Sequence, residues 1–242
     1  MWRQLGSTTS SDGDSLTSAG LSPQRNKRGS LRVFESDILE EFTHVHPGVP
    51  LLVWGPVVLG LLYRSLFVLG LGIPSVLGIG IFALTCWTLL EYLLHRSIFH
   101  FPQDTPLRKR VHFLIHGLHH DDPNDATRLV MPPFASVVLS IIHFAFFRFL
   151  FGPIWVEPFF AFFLVGYLVY DYTHYAIHHF HQRTALGRLI KRHHMQHHFV
   201  TKDAKFGVSS PIWDYVFGTL ESPGRSAREN VLPSSTRSTT TR

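Results

Sequence analysis

Four apolar runs, arranged as two pairs, constrain this chain more than any other feature. Residues 50–73 are apolar apart from Arg64, and 74–94 remain so until Glu91. A polar stretch, 95–131, separates them from a second pair, 134–151 and 154–170. Each run is close to the roughly 20 residues that a helix needs to cross a bilayer. Pro74, with Gly70, Gly72 and Gly78 around it, marks the turn inside the first pair, and Gly152-Pro153 marks the turn inside the second. His143 and Arg148 make the third run the least apolar. The pattern predicts an all-α integral membrane protein with spans at about 50–73, 74–94, 134–151 and 154–173, four transmembrane helices in two hairpins.

Charge sets the expected orientation. The stretch 95–131 carries Arg96, Arg108, Lys109, Arg110 and Arg128, and the region after 180 carries Arg183, Arg188, Lys191, Arg192, Lys202 and Lys205. The two hinges carry essentially no charge. Because basic flanks stay on the cytoplasmic side, both hinges are expected in the lumen and both termini in the cytosol. The net charge of +5 forms no single stripe, which argues against nucleic acid as a partner. The lone cysteine, Cys86, lies inside an apolar run and excludes a disulfide scaffold or a cysteine-rich zinc site. Residues 1–33 and 222–242, rich in Ser, Thr and Arg, are expected as disordered tails on a membrane domain at 34–221. Phe34, Ile38, Leu39 and Phe42 recur at helical spacing, which suggests a short amphipathic helix on the interface before the first span.

The polar stretches are crowded with histidine. His95 and His100 (HRSIFH) close the second run, and His116, His119 and His120 (HGLHH) follow in the loop. His174 and His178 (DYTHYAIHH) close the fourth run, and His194, His197 and His198 (KRHHMQHH) follow it. Core packing does not ask for such clusters, and imidazole is the commonest side-chain metal ligand. On a helix, residues four apart share a face and residues three apart lie beside them, so each group is expected to point its rings one way. The adjacent pairs His119/His120 and His197/His198 diverge by about 100° and can reach two different ions. Ten imidazoles also exceed what one ion takes, which favours a dinuclear site. With no Cys and no carboxylate inside the motifs, Ca or Mg is disfavoured, while Fe, Zn, Cu and Ni suit imidazole. Redox iron is the better fit, and zinc can occupy the same ligands in a purified sample.

Other histidines carry simpler expectations. His44, His46, His143 and His181 are read as interfacial, and His112, His179 and His193 as supporting or surface groups beside the motifs. Glu91, Asp171 and Asp214 lie close enough in sequence to accept the second ring N–H of a ligand, or are ordinary interfacial acids.

The ordered set HRSIFH, HGLHH, RLVMPP, DYTHYAIHH, KRHHMQHH and FGVSSPIWDYVFGT, spanning about residues 40–220, resembles the fatty acid 2-hydroxylases. These are the sphingolipid alpha-hydroxylase branch of the fatty acid hydroxylase superfamily. The histidine spacing is shared across the superfamily, whereas RLVMPP and the FGVSS–WD–FGT tail are particular to the branch. The resemblance implies an endoplasmic-reticulum enzyme whose cytosolic helical cap holds two iron ions. It would use O2 to hydroxylate C2 of long or very-long-chain fatty acyl groups, free or in ceramide. It also implies the ligand division: His95, His100, His116, His120 and His197 for one ion, and His119, His174, His178, His194 and His198 for the other. Many relatives carry a fused cytochrome b5 domain. Here only His46-Pro47-Gly48 echoes a haem motif, at the first span, so a separate cytochrome b5 with its reductase is the expected electron donor. Alternatives are a sterol methyl oxidase or C-5 sterol desaturase, against which the branch motifs argue, and a non-catalytic membrane metal-binding protein.

Overall fold

The computed structural model describes residues 29–221; the expected tails at 1–28 and 222–242 lie outside the described residues. Among those described, the regular elements are all helices. They are α1 (Asp37–Glu41), α2 (Val49–Tyr63), α3 (Ile73–Leu94), α4 (Pro106–His112), α5 (Leu118–Asp121), α6 (Pro133–His179), α7 (Ala185–Phe199) and α8 (Ile212–Val216). π-helical turns at Arg64–Val68, His95–Phe99 and Phe113–Gly117 extend α2, α3 and α4. The long apolar helices each begin with proline in their first turn, where a missing N–H costs nothing and φ is already helical.

Three helical stretches are long and apolar enough to cross a membrane: Val49–Val68, Ile73–Phe99 and Pro133–His179. The third has 47 residues; at 1.5 Å per residue a straight helix of that length would run about 70 Å. It does not run straight. Gly152 has φ 73° and ψ −179°, a backbone state that only glycine adopts readily. Phe147 and Phe163 lie 16 positions apart, about 24 Å on a continuous helix, yet their rings are 5.0 Å apart. Phe144–Phe160 and Phe151–Phe159 pack likewise at 5.1 and 4.7 Å. The chain therefore folds back at Gly152, and the two halves of α6 pack on each other.

A mainly apolar core joins the long helices. Trp54, Val58, Ala83 and Trp87 meet Val156, Phe159, Phe160, Phe163, Leu164 and Tyr167. Its closest approach is at Gly166, where an added Cβ would lie 2.6 Å from the Trp87 ring. Polar ties cross the same helices: Trp54 Nε1 donates to Ser136 Oγ at 3.2 Å, and Arg64 forms a two-pronged ion pair with Glu157.

The segment ahead of α2 is fastened to the loop that carries RLVMPP. Arg128 donates to Glu40, Thr43 and the Leu31 carbonyl, and the Val45 amide donates to Thr127 O at 2.7 Å. Glu40 in turn accepts from the Val33 and Phe34 amides, so residues 31–33, the end of the expected tail, are held here. His44, expected as interfacial, is enclosed, with Nδ1 2.5 Å from Thr127 Oγ1. Ile38 and Phe42 of α1 stay exposed.

Candidate metal centre

The ten motif histidines come from five places: the π turn after α3, the π turn after α4, α5, the end of α6 and the end of α7. The H-x4-H spacing of His95 and His100 needs its π turn. Residues five apart stand about 140° apart around an α-helix, so α-helical winding would have aimed these rings apart. The i→i+5 winding, closed by His100 N donating to His95 O at 3.2 Å, brings their ring centroids to 5.1 Å. π turns are concentrated at functional sites for this kind of reason, and His116 sits in another.

The rings gather into two groups of five, His95, His100, His116, His120 and His197, and His119, His174, His178, His194 and His198. This is the division implied by the resemblance. Within each group the ligand-type nitrogens all lie within 4.8 Å of one another. The adjacent pairs split, one ring to each group. The groups touch where His120 stacks on His198, with centroids 4.2 Å apart.

Hydrogen bonding alone does not account for these contacts. His194 Nε2 lies 3.1 Å from His174 Nε2, 3.0 Å from His178 Nε2 and 2.9 Å from His198 Nε2. A neutral imidazole nitrogen is either one donor or one acceptor, so one nitrogen cannot bond three others. In the other group, His95 Nδ1 donates to Phe206 O at 2.5 Å and His197 Nδ1 donates to Ala204 O at 2.8 Å. That fixes both Nε2 atoms as lone pairs, and they face His116 Nε2 at 3.1 Å and His100 Nε2 at 3.0 Å. For metal–nitrogen bonds of about 2.1 Å, ligand atoms at right angles stand about 3.0 Å apart, and at tetrahedral angles about 3.4 Å. The near-neighbour spacing of about 3 Å, with five nitrogens in each group, suits an ion that takes more than four ligands.

Burial favours the neutral form of these rings, the form that can ligate a metal. Desolvation, reinforced by His197 and neighbouring charges, pushes His100 down to about 3 and His120 to about 2. His197 falls to about 4 through desolvation, partly opposed by its bond to Ala204. His116, His119, His194 and His198 are all lowered for the same first reason.

The acids serve differently from expectation. Glu91 accepts from the Val208 and Ser209 amides, each at 2.8 Å, and from the Ser209 hydroxyl. Asp214 accepts from the Phe206 and Gly207 amides at 2.8 Å, from Thr219 Oγ1 at 2.7 Å and from His193 Nε2 at 2.9 Å. Burial raises Asp214, but these bonds outweigh it and hold the carboxyl below its usual range. Both carboxylates thus shape the loop 204–210, and two carbonyls of that loop receive the ligand N–H groups. Sequence reasoning missed Ala204 and Phe206 because a backbone carbonyl leaves no residue-type signal. Among the described residues no hydrogen bond joins Asp171 to a ligand ring. Asp171 pairs instead with Tyr167, and Trp87 Nε1 is buried without a hydrogen-bond partner. His112 lies beside His100 at 6.1 Å, and His179 beside Tyr175 at 4.7 Å.

Two five-histidine groups, each able to hold a metal ion, stand beside long helices apolar enough to cross a membrane. Residues 80–219 match the family described as fatty acid hydroxylase. The chain is 37% identical over 199 residues to the dihydroceramide fatty acyl 2-hydroxylase FAH1 of Arabidopsis thaliana, covering 82% of this chain and 83% of that one. It is 35% identical over 207 residues to the ceramide very long chain fatty acid hydroxylase SCS7 of Saccharomyces cerevisiae, covering 83% of this chain and 52% of that one. A solved structure described as full-length scs7p, with only its hydroxylase domain visible, matches with a TM-score of 0.74 at 35% identity, over 81% of this chain and 74% of that one. The chain belongs to the fatty acid hydroxylase family.

Proposed function

We propose that this protein hydroxylates C2 of long or very-long-chain fatty acyl groups, free or in ceramide, for 2-hydroxy sphingolipid synthesis. The observation that carries the reading is the pair of five-nitrogen groups in which neighbouring ring nitrogens stand about 3 Å apart, in a chain similar to named fatty acyl 2-hydroxylases. His95, His100, His116, His120 and His197 hold one iron, and His119, His174, His178, His194 and His198 hold the other. When bound, the two ions supply activation of O2 and removal of hydrogen from an unactivated carbon.

The protein supplies position and dryness. His95 directly follows α3 and His174 lies near the end of α6, so the rings stand where the apolar helices end. An acyl chain lying in the bilayer holds its head at that depth, with C2 beside it. Trp87 Nε1, buried without a hydrogen-bond partner, and the neighbouring Tyr167–Asp171 pair are the polar groups offered to the acyl head. The fold-back at Gly152 supports reading α6 as two spans, for a proposed total of four in two hairpins. By the loop charges, both hinges face the lumen of the endoplasmic reticulum, and the centre lies in a cytosolic cap within a catalytic domain at 34–221. Electrons come from a separate cytochrome b5 and its reductase, steered by Arg108, Lys109 and Arg110. Reversing these three charges should slow turnover at limiting cytochrome b5 and be rescued by excess donor.

The direct test is expression in cells lacking 2-hydroxylated sphingolipids, followed by mass spectrometry of their ceramides. The wild type should restore 2-hydroxy ceramide, and His119→Ala or His198→Ala should abolish it while remaining in the membrane. Activity retained by either variant would refute the ligand assignment.

A further inference from the structure

The two histidine groups are not equivalent in what stands behind them. In the group of His95, two rings are anchored through Nδ1 by loop carbonyls, His95 by Phe206 O and His197 by Ala204 O. In the group of His174, the Nδ1 atoms of His174, His194 and His198 are buried with no hydrogen-bond partner; in the first group this is true only of His120. An acceptor behind a ligand fixes the ring's tautomer and orientation and strengthens its donation to the metal. A ring without one must be ordered by packing alone.

One of these carbonyls, Phe206 O, lies on a peptide held by a carboxylate, while the Lys205 amide beside Ala204 O donates to Thr219 O. Asp214, fully buried at the start of α8, takes the Phe206 and Gly207 amides on its two oxygens. Thr219 and His193 close its remaining positions, and His193 lies on α7 directly before His194. The turn is shaped so tightly that a Cβ on Gly207 would fall 2.1 Å from Ser210 O. Asp214 touches no ligand ring, yet it fixes the peptide that carries Phe206 O, and with it the loop that carries Ala204 O.

We propose that Asp214 is a positioning residue chiefly for the ion of His95, His100, His116, His120 and His197, since it reaches the other group only through His193 and the backbone of α7, and that the two ions are therefore held with unequal strength. The Asp214-backed ion is the tighter, and the ion of His119, His174, His178, His194 and His198 leaves first. This rests on the two-ion reading above.

The test uses the full chain in detergent, loaded with zinc or cobalt, with bound metal counted during a chelator titration. The wild type should release two ions per chain in two phases. His178→Ala and His100→Ala each remove one half-exposed ligand, one from each group. The first variant should lose the early phase and the second the late phase. Asp214→Asn should weaken the late phase more than the early one, by up to the roughly 10- to 100-fold seen for outer hydrogen-bond partners of ligands, so the phases converge. His193→Leu, which removes a single donor to Asp214, should move the same phase by less and covers the case in which Asp214→Asn fails to fold. Release of both ions in one phase by the wild type would overturn the proposal. So would equal weakening of both phases in whichever of Asp214→Asn and His193→Leu folds. A wild type that binds no metal would instead overturn the two-ion reading itself.

Discussion

Gly207→Ala should damage the metal centre without touching a histidine. The new Cβ would sit 2.1 Å from Ser210 O and 2.9 Å from Asp214 Oδ2. The Ser210 carbonyl has to retreat by about 1 Å or more to reach an ordinary contact. The Phe206 and Gly207 amides, now 2.8 Å from Asp214, would then pass the roughly 3.5 Å beyond which a hydrogen bond is lost. Each is a bond to a charged acceptor worth about 1.5–3 kcal/mol, so losing both costs about 3–6 kcal/mol, an upper figure because the loop can relax. The assay is the thermal unfolding midpoint and the metal content of the purified protein. Gly60→Ala serves as the control, since a Cβ there meets nothing within 4 Å and a helical Gly→Ala change stabilises by about 0.5–1 kcal/mol. A Gly207→Ala protein with an unchanged midpoint and full metal content would refute the idea that this loop is held in one shape for the ligands.

Three other perturbations follow from the same contacts. Arg128→Met should destabilise by about 3–5 kcal/mol, as breaking a buried pair does, because it removes the cation from Glu40 at 2.6 Å, both side chains being buried; the midpoint measures it, and Glu40→Gln added to it should recover part of the loss. Gly166→Ala should push the Trp87 ring out of its seat and cost about 1–3 kcal/mol of core packing, read as a lowered midpoint with the metal count retained. The metal-free protein should be acid-sensitive. His100, His120 and His197 sit well below the ordinary histidine range when folded. Below about pH 6.5 the unfolded chain therefore takes up protons that the folded one refuses. Stability should be complete above that pH and fall progressively towards pH 3–4; a flat profile between pH 7 and 4 would contradict the burial of these rings.

How much of this was legible in the sequence differs from element to element. The apolar runs and their glycine and proline hinges mark the long helices, because span length and turn chemistry are local properties. The hinge at Gly152-Pro153 corresponds to a true fold-back, with Gly152 at φ 73°. The divergence of His119 from His120, and of His197 from His198, followed from helical geometry and matches the two groups. His95 and His100 did not obey that geometry: they are five residues apart and meet only because the winding becomes π. Periodicity contains no notice of such a change. The role of the FGVSS–WD–FGT tail was equally hidden, since its work is done by amides and carbonyls around Asp214 and Glu91. His44 illustrates the opposite error. Its position before a span suggested the interface, whereas Thr127 and Arg128, over eighty residues away, enclose it.

The central claim, that two histidine-held ions insert oxygen at C2 of an acyl chain, is tested most directly with isotopically labelled O2. Cells lacking 2-hydroxylated sphingolipids, expressing this chain, are given the labelled gas, and their ceramides are fragmented in the mass spectrometer. One labelled oxygen at C2 of the acyl group, absent with His198→Ala, is the predicted result. Unlabelled hydroxyl at C2, hydroxyl at another carbon, or label that persists in His198→Ala would contradict it.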